Sequence, residues 1–139
     1  MFLLNKGAFS WRSFKQSTTT DSTTEAEYVA ASEAAKEAVW IRKFIQELEV
    51  VPLIEAPISL YCDNNGAIAQ AVEPRSHQRT KHIERCFHII RDIISRGDIT
   101  MVKVASADNL ADPFTKPLSQ KVFEKHIKDM GLRYMYDWV

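Results

Sequence analysis

The sequence predicts an α/β fold, a mixed sheet flanked by helices, and three observations carry that prediction. The chain opens with two short segments of bulky apolar and aromatic residues around a polar turn. An Ala-rich stretch long enough for a major helix follows. Beyond it the local patterns alternate between strand and helix, the order expected when helices cover a sheet.

Residues 1–4 and 8–14 flank Asn5-Lys6-Gly7, a turn-forming cluster, and so read as a β-hairpin. The Ser/Thr-rich stretch 16–24 ends in a capping-box pattern, Thr24 with Glu27 three positions on. A helix is predicted from there to about residue 49. It is carried by Ala26, Ala30, Ala31, Ala34, Ala35 and Ala38, and it ends before Pro52. Residues 58–63 alternate, with Ile58, Leu60 and Cys62 on one face and Ser59, Tyr61 and Asp63 on the other, which predicts a strand. Asn64-Asn65-Gly66 breaks it, residues 67–71 read as a short helix, and Glu73-Pro74 stops that helix. A second long helix is capped by Thr80. It repeats Ile83, Phe87, Ile90 and Ile94 at helical spacing and ends where Gly97 supplies a left-handed residue. Residues 100–104 read as a strand and 107–116 as an acidic turn leading into helix. The last helix starts at Ser119, turns Phe123, Ile127 and Met130 inward and ends at Gly131.

Composition bounds what such a fold can do. With 139 residues, 45% hydrophobic, the chain is sized for one domain that buries roughly two thirds of its unfolded surface. Cys62 and Cys86, without an apolar leader, fit free thiols in a reducing compartment rather than a disulfide scaffold. No stretch approaches the roughly 18–20 apolar residues that span a bilayer, so no membrane partner is expected. Eighteen Lys+Arg balance eighteen Asp+Glu, which argues against a protein that coats nucleic acid indiscriminately. The balance hides a gradient. Residues 21–49 carry seven acids and three bases, whereas residues 75–103 carry three acids and seven bases. Arg75, Arg79, Lys81 and Arg85 gather at the start of the second long helix, where exposed N–H groups also favour phosphate. They are candidate substrate-binding residues, and a solvated helix face is the competing reading.

Three acids stand where burial or an element end should disfavour them. Ala31, Ala34, Ala38, Ile41 and Ile45 follow Glu27 by 4, 7, 11, 14 and 18 residues. At about 100° per residue all lie within about 40° of its direction, so Glu27 heads the core-facing stripe. It is also the acid of the capping box, and helix pattern alone leaves both roles open. Asp63 closes a strand before a short helix, where α/β sheets place binding crevices, although a helix cap or turn residue reads the same way. Asp112 precedes Pro113 and taken singly is a plain N-cap. Converging, three such acids could hold Mg²⁺, which takes a few carboxylates and leaves positions for phosphate oxygens. Paired ions of this kind suit phosphodiester hydrolysis.

Five segments, in order, carry a resemblance: Ser10-Trp11-Arg12-Ser13-Phe14-Lys15-Gln16, Ser22-Thr23-Thr24-Glu25-Ala26-Glu27-Tyr28, Tyr61-Cys62-Asp63-Asn64-Asn65-Gly66-Ala67-Ile68, Arg79-Thr80-Lys81-His82-Ile83, and Leu110-Ala111-Asp112-Pro113-Phe114-Thr115-Lys116-Pro117-Leu118. Together they resemble the ribonuclease H domain of Copia-type LTR retrotransposons, as found in plants. The resemblance implies a domain over 1–118 with a C-terminal helical extension over 119–139. It implies hydrolysis of the RNA strand of RNA–DNA hybrids during reverse transcription, with two Mg²⁺ ions, or Mn²⁺ in their place. It places the catalytic and metal-binding acids at Glu27, Asp63 and Asp112, with Asp108 a weaker candidate near the last. It further implies a reverse transcriptase region upstream in one polyprotein and a cytoplasmic setting in virus-like particles.

The family's first metal-binding Asp lies on a central first strand, and residues 1–4 resemble the second. The expectation is therefore a domain truncated at its N-terminus, with three acids instead of four and catalysis that is weak or lost. Two other readings stand beside the enzyme: a non-catalytic retrotransposon remnant that binds nucleic acid or protein or has no function, and a transposase or integrase core, which would need a late catalytic Glu. His77, His82, His88 and His126 show no zinc spacing with the cysteines, and His82 reads as structural or a phosphate contact. Trp11, Trp40 and Trp138 read as core or interface aromatics.

Overall fold

The computed structural model describes residues 1–16, 19, 20, 22–49, 57–72 and 81–133, with side chains except at 81–83. In chain order the elements are β1 (Phe2–Leu4), β2 (Gly7–Ser10), α1 (Thr23–Glu47), β3 (Ile58–Cys62), α2 (Asn65–Val72), α3 (Lys81–Ser95), β4 (Ile99–Lys103) and α4 (Gln120–Asp129). Two short 3₁₀ turns, Ser106–Asp108 and Asp112–Phe114, lie between β4 and α4. This is a mixed α/β chain, as predicted. The predicted Thr80 cap and the side chain of Ile83 lie outside the described residues.

The elements form two compact units, Thr18–Val104 and Met1–Ser17 with Ala105–Val139. In the first, α1 packs on α3. Tyr28, Ala31, Ser32, Ala35, Ala38 and Ile41 are buried on α1, and Cys86, Phe87, Ile90 and Ile93 on α3. The small residues on α1 let the helices approach closely. Ser32 Oγ can therefore donate to the Cys86 carbonyl at 3.3 Å, and the Tyr28 and Phe87 rings stack 4.0 Å apart. Strands β3 and β4 run parallel, in register from Ile58 opposite Ile99 to Cys62 opposite Lys103. Parallel neighbours need a crossover, and α2 and α3 supply it. The predicted alternation of β3 holds: Ser59 and Tyr61 are exposed, Ile58 and Leu60 half-buried and Cys62 buried.

In the second unit β1 and β2 form the predicted antiparallel hairpin, with Leu4 opposite Gly7. Asn5 and Lys6 take φ of 50° and 64°, the left-handed pair that a two-residue hairpin loop requires. The Ala8 N–H donates to the Met130 carbonyl at 2.8 Å, joining the hairpin to the end of α4. Gly131, at φ +73°, completes this joint, since a Cβ there would lie 2.6 Å from the Lys6 carbonyl oxygen.

The expected elements are corrected at four places. Helix α1 is capped by Ser22, whose Oγ accepts from the Glu25 N–H at 3.2 Å, so Glu25 rather than Glu27 stands at the capping-box position. The described strands pair as one antiparallel and one parallel two-stranded sheet instead of a single mixed sheet, because no described strand bonds to both pairs. On α4 the buried residues are His126 and Met130, one turn apart, while Phe123 is 43% exposed. Of the core-or-interface reading of Trp11 and Trp40 the core half is excluded: both are exposed, stacked on Phe114 and Phe44 respectively. Trp138 lies outside the described residues.

Candidate metal centre

The carboxyl end of β3 and the start of α1 meet through one side chain. Asn64 lies two residues past the strand; its Oδ1 accepts from the Ala67 N–H at 3.1 Å, capping α2, and its Nδ2 donates to Thr24 Oγ1 at 3.4 Å. Gly66 allows this approach, since a Cβ there would stand 2.9 Å from Thr24 Cγ2. Thr24 lies in the first turn of α1, and Glu27, three residues on, therefore comes over the end of β3. One ligand atom from each of Glu27, Cys62 and Asp63 lies within 4.8 Å of the other two. Asp63 is further fixed through its carbonyl, which accepts a hydrogen bond from Lys103 Nζ on the neighbouring strand.

Burial pushes the Cys62 thiol above its ordinary pKa, and the negative charges of Glu27 and Asp63 add to the effect. A backbone hydrogen bond with Asn64 and the Lys103 charge oppose it without reversing it. The thiol is thus held neutral beside two carboxylates. Two carboxylates on separate elements, close enough to share one ion, are a donor set that fits a hard dication such as Mg²⁺. The thiol between them is a softer donor.

Asp112 belongs to the other unit and is buried, at 8% exposure. It opens a 3₁₀ turn as its first residue, with Ala111 as the cap, so the plain N-cap reading is corrected. Both its carboxylate oxygens accept from Lys116 Nζ at 3.0 Å. Asp108 is exposed and bonded to Lys125 on α4 at 2.6 Å, which holds its carboxyl below the usual range. Of the basic candidates, Arg75 and Arg79 and the side chain of Lys81 lie outside the described residues. Arg85 is exposed on α3. Other bases of that segment are engaged locally. Arg91 donates to the Gln70 carbonyl at 3.1 Å, and Arg96 pairs with Asp92 at 2.9 Å and Asp98 at 3.0 Å.

Sequence reasoning missed Cys62, Asn64 and Lys103. The first two had a readable signal. Cys62 ends the inner face of β3 just as Glu27 heads the inner face of α1, and Asn64 precedes a short helix as caps do. Lys103 had none, because its role follows from strand register.

The chain's homologues are retrotransposon Pol polyproteins. It is 38% identical over 124 residues to the "Retrovirus-related Pol polyprotein from transposon TNT 1-94" of Nicotiana tabacum, covering 89% of this chain and 9% of that protein. It is 37% identical over 123 residues to the "Retrovirus-related Pol polyprotein from transposon RE2" of Arabidopsis thaliana, covering 88% and 8%. Against the "Transposon Ty1-NL2 Gag-Pol polyprotein" of Saccharomyces cerevisiae identity is 33% over 128 residues, covering 89% and 7%. The chain thus spans less than a tenth of the length of these curated relatives. No family profile and no solved structure matches it. Among the described residues no helix is long and apolar enough to cross a membrane.

Proposed function

We propose that this chain is the ribonuclease H segment of a retrotransposon Pol polyprotein and acts on the RNA strand of RNA–DNA hybrids. The observation that carries this reading is the meeting of Glu27 and Asp63, from a helix and a strand end, within 4.8 Å. These two carboxylates would hold divalent metal, Mg²⁺ or Mn²⁺, with Asp112 as the third acid. Metal held there would supply activation of the attacking water and stabilisation of the leaving oxygen. The chain's own groups provide the frame. Asn64 and Thr24 set the height of Glu27 over β3, and Lys103 fixes the backbone of Asp63. Arg85, with Arg75, Arg79 and Lys81 before it, supplies positive charge for the hybrid's phosphates. An antiparallel and a parallel pair are the two parts that a central strand would join in the mixed sheet the resemblance implies. In this reading a fourth acid comes from that strand, the reverse transcriptase region precedes it in the polyprotein, and the setting is a virus-like particle.

The bidentate hold of Lys116 on Asp112 favours a second reading, a non-catalytic module that binds nucleic acid. One experiment separates the two. The segment that precedes the matching region in the tobacco polyprotein is joined ahead of Met1, and the chimera and the 139-residue chain are assayed on an RNA–DNA hybrid with Mg²⁺. The enzyme reading expects RNA-strand cleavage by the chimera, orders of magnitude slower in the shorter chain and abolished by Asp63→Asn. Salt-dependent hybrid binding without cleavage by either protein selects the binding module.

A further inference from the structure

We infer that Cys62 makes this centre a trap for a thiophilic dication of the Zn²⁺ or Cd²⁺ class, held between the Cys62 sulfur and the carboxylates of Glu27 and Asp63. A site built from carboxylates alone selects hard ions, and one sulfur among its donors changes that preference. Three side-chain donors with a fourth position left to water is the count of an open tetrahedral site. Bond lengths of about 2.0–2.3 Å keep the donors of such a site within about 4 Å of one another. Here they already lie within 4.8 Å, so closure shortens their separations by 1 Å or so. The three come from two elements whose spacing Asn64 and Thr24 fix, and Cys62, at 8% exposure, is shielded from competing solvent chemistry. On binding, the Cys62 S–H bond breaks, a sulfur–metal bond forms, and the proton passes to the buffer. The functional consequence, displacement of Mg²⁺ from Glu27 and Asp63 and arrest of hydrolysis, rests on the proposed function.

The test is a titration of the whole 139-residue chain with Cd²⁺ alone, followed by calorimetry and by the ultraviolet sulfur-to-cadmium charge-transfer band. One equivalent should bind with the band present. Cys62→Ser should abolish the band although Cys86 remains, and Glu27→Gln should weaken binding by about tenfold or more, since even outer-shell changes cost 10–100-fold in affinity. Circular dichroism checks that each variant is folded, and Cys62→Ala serves if the serine variant is not. A band of equal strength in the Cys62 variants, or cadmium affinity unchanged by Glu27→Gln, overturns the inference. Mg²⁺ binding to the wild-type chain is measured separately. Magnesium bound without a cadmium band overturns the trap alone, and a cadmium band without magnesium binding overturns the magnesium reading while the trap stands.

Discussion

In the unit Thr18–Val104, Glu27 and Asp63 are placed by packing: α1 lies on α3 through Tyr28 on Phe87 and Ser32 on Cys86, and the strand that ends just before Asp63 is paired along its length with β4. In the unit that joins residues 1–17 to 105–139, both acids are placed by charge, Asp112 by Lys116 and Asp108 by Lys125. Among the described residues its buried set is also smaller, centred on His126 and Met130, while Leu3, Leu4, Phe9 and Phe123 are exposed. Acids set by packing keep their position when salt or pH changes, whereas acids set by lysines do not. The acids of the first unit are therefore held firmly, and those of the second adjustably.

The largest test strikes the packing. Ile90→Ala, at a fully buried position on α3, should destabilise the chain by about 2–5 kcal/mol in denaturant titration and abolish metal binding with it. A loss below about 1 kcal/mol would show that packing does not hold Glu27. Next is Gly131→Ala, which forces a side chain into left-handed backbone against the Lys6 carbonyl and should cost about 2–3 kcal/mol. An unchanged melting curve would mean that the hairpin and α4 are not rigidly joined. Gly66→Ala sharpens the comparison from the other side. It lies inside a helix, where Ala is favoured by about 1 kcal/mol, and its clash is with the tip of Thr24. Stability should move by less than about 1 kcal/mol while cadmium affinity falls, because the approach of α1 to β3 is what changes. Asp112→Asn should cost about 1 kcal/mol at low salt and less at high salt, since Lys116 is half exposed and can turn to water.

The smallest effects are in pH. Asp108 has its pKa lowered by Lys125, so its contribution is present above the unfolded value near 3.8 and is lost as pH falls through the folded one. Asp108→Asn should remove that slight contribution at neutral pH and flatten the acid-side slope, the two proteins converging in acid. Cys62 has the opposite sign. Its pKa is raised, so stability is full below the unfolded thiol value of 9.0 and declines as pH rises through it toward the folded one. In Cys62→Ser that alkaline decline should shrink, and an unchanged slope would place the titration elsewhere.

Much of this was legible in the residues. The hairpin followed from Asn5-Lys6-Gly7 and β3 from its alternation, and the phase of the α1 stripe and the end of the strand singled out Glu27 and Asp63, although their meeting is a fact of packing. What escaped depended on relations between elements. Ser22 and Thr24 each have an acid three residues on, and which one caps α1 depends on how the chain enters the helix. Helical spacing gave α4 a face but not the extent of its cover, so Phe123 was placed inside when only His126 and Met130 are buried. The hold of Lys116 on Asp112 is an i, i+4 pair that the sequence contains, yet the motif around Asp112 drew attention to metal instead.

The bond from Lys103 to the Asp63 carbonyl joins residues 40 apart in the chain. Because β4 can dock beside β3 only after α2 and α3 have formed and turned back, Asp63 gains its final anchor at the end of a long excursion. Ion affinity should thus emerge among the last events of refolding, after helical signal has recovered. A metal-responsive probe mixed in during refolding would time the completion of the fold rather than its onset.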